Sequence, residues 1–262
     1  MKRSISYYLC FILFFAVKGF GATEQNFDRL KSFHASSFIF TPYSHYIKEQ
    51  TIVSESNGKR TSARIFKYNE KGDAVFHKTE LVGKPLFDSI GQFDYVNDSF
   101  VLRSNFHEVN IKKGWIIKND HDQITALVGK NDGKIFDNDY QFTYFYKYEN
   151  DKVVESINKA GPLQIESKIT WQNDLPIRSE SSLVRYGTVN ALPTSDYSYD
   201  EQGRLKAHRL KITIPHDESF NSESETLFSD YNEYGDWTKA TTIGTQKEGT
   251  NVEITIRKIE YW

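Results

Sequence analysis

The stretch "YDEQGRLKAHRL", Tyr199 to Leu210, runs from an aromatic residue through polar residues and a glycine into a new segment. Nearly the same words stand at "YNEKGDAV" from Tyr68 and "YNEYGDWT" from Tyr231. Degenerate copies begin at Tyr148, "YENDKVVE", and at Trp171, "WQNDLPIR". A weaker sixth spans Trp115 to Val128, "WIIKNDHDQITALV". Alternating segments precede the five: "ARIFKY", "FTYFYKY", "SKITW", "SDYSY" and "LFSDY". Period-two alternation is the mark of a half-buried strand. Glycine takes a left-handed conformation at no steric cost, and short Asn and Asp side chains hydrogen-bond turn backbone. Each copy therefore reads as a hairpin turn, with Gly72, Gly203 and Gly235 at the left-handed position. Asn57-Gly58 between alternating segments marks another hairpin. Lys152 and Leu175 replace the glycine in the two middle copies, which predicts differently shaped turns there.

From Tyr148 onward the copies are spaced by 23, 28 and 32 residues. Each interval holds one turn and a pair of strands, and the irregularity excludes a strict solenoid. The expected fold is all-β: an antiparallel meander of hairpins over 43–262, forming a curved sheet or half-barrel. A short helical or irregular segment over 23–42 precedes it, with Phe27, Leu30 and Phe33 at helical spacing.

"YDEQGRL" resembles the tyrosine–aspartate (YD) repeat of RHS-type proteins, whose units are β-hairpins in a long coiled sheet. "DYNEYGDWTKATT" with the final strand "ITIRKIEYW" is similar to the ending of small bacterial envelope proteins, a family of enterobacterial lipoproteins among them. The resemblance implies a hairpin sheet in the envelope and no activity. The chain departs from both groups: it has too few copies for a hollow shell, no toxin tail, and no cysteine placed for a lipid anchor.

Lys2 and Arg3 precede an apolar run from Tyr7 to Val17, ended by Lys18. That run is too short to span a bilayer as a helix and fits a secretory signal. Cleavage is expected after Ala22, although Phe20 stands where a small residue is preferred. Cys10 and Met1 are the only cysteine and methionine, so the mature chain has no disulfide to rely on. The expected location is the periplasm, with no integral membrane span in the mature chain.

Of 33 basic residues the leader holds three, against none of the 35 acids, so the mature chain is net acidic. A nucleic-acid partner, which needs a basic footprint, is not expected. Aromatics make up 15% of a chain only 38% hydrophobic, so the core is built from rings more than from Leu and Ala. No Gly-x-Ser-x-Gly is present, and nothing singles out one of the seven histidines as a base. His216-Asp217-Glu218, Asn119–Gln123 and Asp137–Tyr140 read as polar turns, because none has the ligand spacing of a zinc or calcium site. Catalytic residues, metal and cofactor are accordingly none.

The expected role is a non-catalytic periplasmic binding or scaffolding module for an envelope protein, peptide or glycan. Trp115, Trp171, Tyr231 and Trp237 are the candidate binding aromatics, and Gly58, Gly72, Gly203 and Gly235 the structural turn residues. One alternative is an envelope hydrolase acting on glycan or peptide. Another is an outer-membrane-associated β-barrel, against which stand Lys258 and Glu260 on the outward face of the last strand.

Overall fold

The computed structural model describes residues 19–20, 38–39, 47–70, 74–83, 89–96, 99–104, 110–121, 124–131, 141–150, 152–246 and 249–262. The short strands β1 (Gly19–Phe20) and β2 (Phe38–Ile39) pair in parallel. The other strands are β3 (Ile47–Ser56), β4 (Lys59–Tyr68), β5 (Ala74–Leu81), β6 (Ser89–Val96), β7 (Ser99–Ser104), β8 (Asn110–Lys118), β9 (Ile124–Asn131) and β10 (Gln141–Glu149). They continue with β11 (Lys152–Ala160), β12 (Leu163–Gln172), β13 (Leu175–Arg185), β14 (Thr188–Tyr199), β15 (Leu205–Thr213), β16 (Ser222–Tyr231), β17 (Trp237–Gln246) and β18 (Gly249–Tyr261). The signal run, nearly all of the 23–42 segment and Gly72 lie outside the described residues.

Each strand from β3 to β18 pairs antiparallel with the next, and β18 returns to β3, with Arg257 opposite Ile52 and Thr255 opposite Ser54. The sheet is a closed barrel of sixteen strands. The expected meander is present, and the curved sheet, whose closure the sequence left open, closes into a barrel. The physical reason lies beside the repeated turns. Lys67/Tyr68, Lys147/Tyr148, Thr170/Trp171 and Ser198/Tyr199 each mark a register shift against the following strand. The weak sixth copy has its own shift at Ile117/Lys118. A bulge bends its strand and sharpens the local twist. These turns join β4–β5, β8–β9, β10–β11, β12–β13 and β14–β15, and the Asn232–Asp236 turn joins β16–β17, so all lie at one end of the barrel. Curvature is added there at five of the hairpins, while β6–β7 and β16–β17 pair without a shift, and further shifts lie at Ser54/Glu55, Leu183/Val184 and Glu260/Tyr261.

Antiparallel pairing puts directly opposed residues on the same face. In β12, Ile165, Ser167 and Ile169 are buried while Glu166, Lys168 and Thr170 are exposed, so apolar and small hydroxyl groups point inward. One inner cluster joins Val153, Ile169, Tyr197, Leu205, Phe228, Trp237 and Ala240. A second joins Ile165, Leu183, Ala191 and Ile214, and a third joins Ile47, Ile52, Phe66 and Tyr68. Hydroxyl pairs tie neighbouring strands between the clusters: Ser167 with Ser181 at 2.8 Å, Thr226 with Thr242 at 2.9 Å, and Ser54 with Thr255 at 3.1 Å.

Candidate functional surface

The repeats first decide which aromatics are free to bind anything. Asp200 and Asn232 organise their turns with the same four hydrogen bonds. Asp200 N–H donates to Arg204 O and Gly203 N–H to Asp200 O, while Oδ1 of Asp200 accepts from the N–H groups of Gln202 and Arg204. Asn232, Tyr234, Gly235 and Asp236 repeat the set. Gly203 and Gly235 have φ of +74° and +83°. Asn57-Gly58 takes φ of +52° and +69°. In the copies without glycine, Asn150 takes φ +49° and Asn173-Asp174 take +50° and +63°, giving two-residue turns. Asn and Asp are the residues that enter this region without glycine's freedom.

The rings that open the Trp171, Tyr199 and Tyr231 copies share one task. Trp171 Nε1–H donates to Val153 O at 2.9 Å, Tyr199 Oη–H to Pro176 O at 2.9 Å, and Tyr231 Oη–H to Leu205 O. Every one of these carbonyls opens the strand before the ring's own. The polar tip thus satisfies a backbone group next to a turn while the ring packs on the inner cluster. Tyr231 also carries the Arg204 guanidinium 4.3 Å from its ring centre. Trp237 is buried at 2% exposure, 5.3 Å from Phe228 and under Arg257 at 4.9 Å. Of the four candidate aromatics, Trp171, Tyr231 and Trp237 belong to this packing. Trp115 stands on the outside, 61% exposed.

The inner wall near the closure is polar. Gln50 accepts from Arg257 Nε at 3.0 Å and donates to Tyr68 Oη at 2.6 Å. Asp236 accepts from Tyr261 Oη, and Tyr261 Oη accepts from Asn232 Nδ2 at 2.9 Å. Burial lowers the pKa of Arg64, and Glu253 nearby works against that. These groups join the last strand to β3 and to the β16–β17 turn.

The outer wall is divided. Across β10–β16 one row reads Lys147, Glu155, Lys168, Glu180, Thr194, Lys211, Glu223, each directly opposite the next. The adjacent row reads Arg178, Asp196, Arg209, Glu225. Arg178 bonds Asp196 at 2.7 Å and Glu180 at 3.1 Å, and Arg209 bonds Glu225 at 3.0 Å. Opposite signs face each other at every charged pair. On β8–β11 the pattern stops. Ile117, Ala126, Phe145 and Ile157 oppose one another in one row, and Trp115, Val128 and Thr143 in the next. Ile117 is 48% and Phe145 45% exposed. A second outward apolar strip, on β17–β18, carries Ile243, Val252, Ile254 and Ile256.

The polar turns weighed for metal are turns. Asp217 Oδ1 caps the 3-10 turn Glu218–Phe220 by accepting from Ser219 N–H, and Asn119 Oδ1 accepts from His121 N–H. Asp137–Tyr140 lies outside the described residues. Among the described residues no group of three or more His, Cys, Asp or Glu side chains converges as metal ligands. No helix among them is long and apolar enough to cross a membrane, which says nothing of strands. Of the surface, sequence reasoning found Trp115 and missed Val128, Phe145 and Ile157, which only strand register brings to it.

These features define a closed, antiparallel, sixteen-stranded β-barrel with a partly apolar outer wall. No family model matches the chain, and no curated protein matches it. Among solved structures it is similar to a porin-like protein from Bacteroides uniformis ATCC 8492, with 10% sequence identity and a TM-score of 0.56. That match covers 83% of this chain and 98% of the other. At this identity the likeness is one of fold.

Proposed function

We propose that the chain is a non-catalytic, exported binding or scaffolding module that works through the outer wall of its barrel. The observation that supports this reading is the division of that wall. Ion pairs of alternating sign cover β10–β16, while Trp115, Ile117 and Phe145 stand exposed beside them on β8–β11. Exposed apolar groups gathered in one place mark interaction sites more often than scattered ones do. The YD-like turns fit an envelope protein that presents a rigid hairpin wall, and the basic, apolar leader fits export to the periplasm. A photo-crosslinking residue placed at Phe145 in living cells should yield adducts, whereas the same residue at Lys168 should yield none. Equal yields at the two positions would contradict the reading.

A second reading, a membrane-spanning barrel, draws on the sixteen-strand closure, the porin-like neighbour and the strip of Val252, Ile254 and Ile256. Against it stand Lys168, Arg178, Glu180 and Asp196 in mid-strand on the outer wall, since charge there is costly against lipid. Conductance steps in planar bilayers from the purified protein would favour this second reading.

A further inference from the structure

We infer that the inner wall of the barrel binds a neutral oligosaccharide in a recess spanning β16–β18 and β3–β4. The site is separate from the outer wall and does not depend on the reading of that wall. The recess shows in the exposure of inward-facing residues. Phe228, Ala240, Arg257 and Phe66 are buried, toward the end that carries the Asp200 and Asn232 turns. Farther along the same strands Thr226, Thr242, Glu253 and Arg64 also face inward, and all four are only half-buried. Thr226 stands four residues into β16, so the space before it lies about 13 Å below the strand end. Gly244 keeps that space open. It opposes Ser224 and Asn251 on the inner face, its backbone is not left-handed, and a Cβ there would meet nothing nearer than Ser224 Cβ at 3.9 Å. Neither backbone nor crowding requires a glycine, and glycine inside a strand marks a place where a ligand approaches closely.

The wall of the recess selects the guest. Thr226 pairs with Thr242, and Ser54 with Thr255, through their hydroxyls. Each pair shares one hydrogen and still has a second hydrogen and spare lone pairs to offer. Thr61 Oγ1–H donates to Ser54 O and to Glu253 Oε2, which holds that carboxylate against the wall. Among the described residues the charges on this inner side balance, Arg64 and Arg257 against Glu253 and Asp236. A balanced wall rich in hydroxyls suits an uncharged guest that donates and accepts many hydrogen bonds, because a buried ion would go uncompensated. The open end of the recess carries exposed rings. Tyr186 is 76% exposed on left-handed backbone at φ +51°, uncommon for a bulky residue, and Phe220 in the next loop of that rim is 53% exposed. A sugar offers hydroxyl edges to such a wall and C–H faces to such rings.

The test is a concentration series of the purified protein on an array of immobilised glucans, galactans, mannans and uronate-bearing oligosaccharides. The expected result is retention on neutral oligosaccharides above uronate-bearing ones. Gly244→Leu fills the recess and should lower the apparent affinity roughly tenfold or more. Glu253→Gln removes the carboxylate that offsets Arg64 and should turn the preference toward uronate-bearing oligosaccharides. Phe145→Ser, on the outer wall, should bind as the parent does. Thermal melts matching the parent show that the variants are folded, and Glu253→Gln decides the matter if Gly244→Leu does not fold. A parent that retains no neutral oligosaccharide overturns the inference, since the recess then holds water alone. So does undiminished affinity in folded Gly244→Leu, or a preference that Glu253→Gln leaves unmoved. Binding lost in Phe145→Ser and kept in Gly244→Leu would put the sugar on the outer wall and overturn the recess. Crosslinked adducts at Phe145 without oligosaccharide retention defeat this inference and leave the outer-wall reading standing; retention without adducts does the reverse.

Discussion

The ring at the head of the Trp171, Tyr199 and Tyr231 repeats is a clamp. Tyr199 reaches Pro176 O and Trp171 reaches Val153 O, both beside a bulge where the ladder is interrupted. Tyr199→Phe keeps the packing and removes the donor. It should destabilise the fold by about 1 kcal/mol, read by urea unfolding. Asp200 offers a pH test. Burial pushes its carboxyl pKa up, but the N–H groups of Arg204 and Gln202 and the Arg204 side chain together outweigh this and hold it below its ordinary value. A carboxyl lowered in the folded state stabilises above its unfolded pKa, and the contribution fades as pH falls through the folded value. Asn232 holds the sister turn with a neutral side chain, so Asp200→Asn should keep the backbone bonds and lose only the charge. The expected loss is under about 1 kcal/mol at neutral pH and vanishes by strongly acid pH. A pH-independent loss in paired urea melts would show that geometry, not charge, matters there. The turn residues were legible because a glycine or asparagine acts on its own backbone. The clamps were not, because their acceptors lie 18 to 26 residues away along the chain.

At the scale of elements, the working unit is a hairpin turn with a bulge beside it. Gly203 and Gly235 hold left-handed backbone, and a Cβ at Gly203 would come no closer than 4.0 Å to Leu175. The effect of Gly→Val is therefore backbone strain and not collision. Either variant should cost roughly 1–2 kcal/mol in denaturant melts, and parent-like midpoints for both would contradict the turn geometry. The turns and the strand alternation could be read from local residues. The bulges could not, since an extra residue exists only relative to the strand it fails to match. For that reason the sequence suggested a curved sheet and left its closure open. The same limit hid the β8–β11 face. Trp115 was visible, but Val128, Phe145 and Ile157 meet it through pairings that skip over loops.

At the scale of the whole molecule, the barrel carries apolar and hydroxyl groups inside, with buried Gln50, Asp236 and Arg257 near the closure, and a divided wall outside. Lys168 stands between Glu155 and Glu180 in the alternating row. Lys168→Glu would set three acids side by side and should destabilise by about 0.5–2 kcal/mol, read by urea unfolding. The account as a whole turns on closure, because an open sheet would leave β3 and β18 as bare edges and separate Gln50 from Arg257. Ser54 Oγ and Thr255 Oγ1 lie 3.1 Å apart across that seam although 201 residues separate them in sequence. In a Cys10→Ser background, Ser54→Cys/Thr255→Cys should form a disulfide under mild oxidation of the folded protein and migrate as a compact loop on a non-reducing gel. Two thiols that remain free in the folded, oxidised protein would show that the first and last strands do not meet, and would contradict the closed barrel.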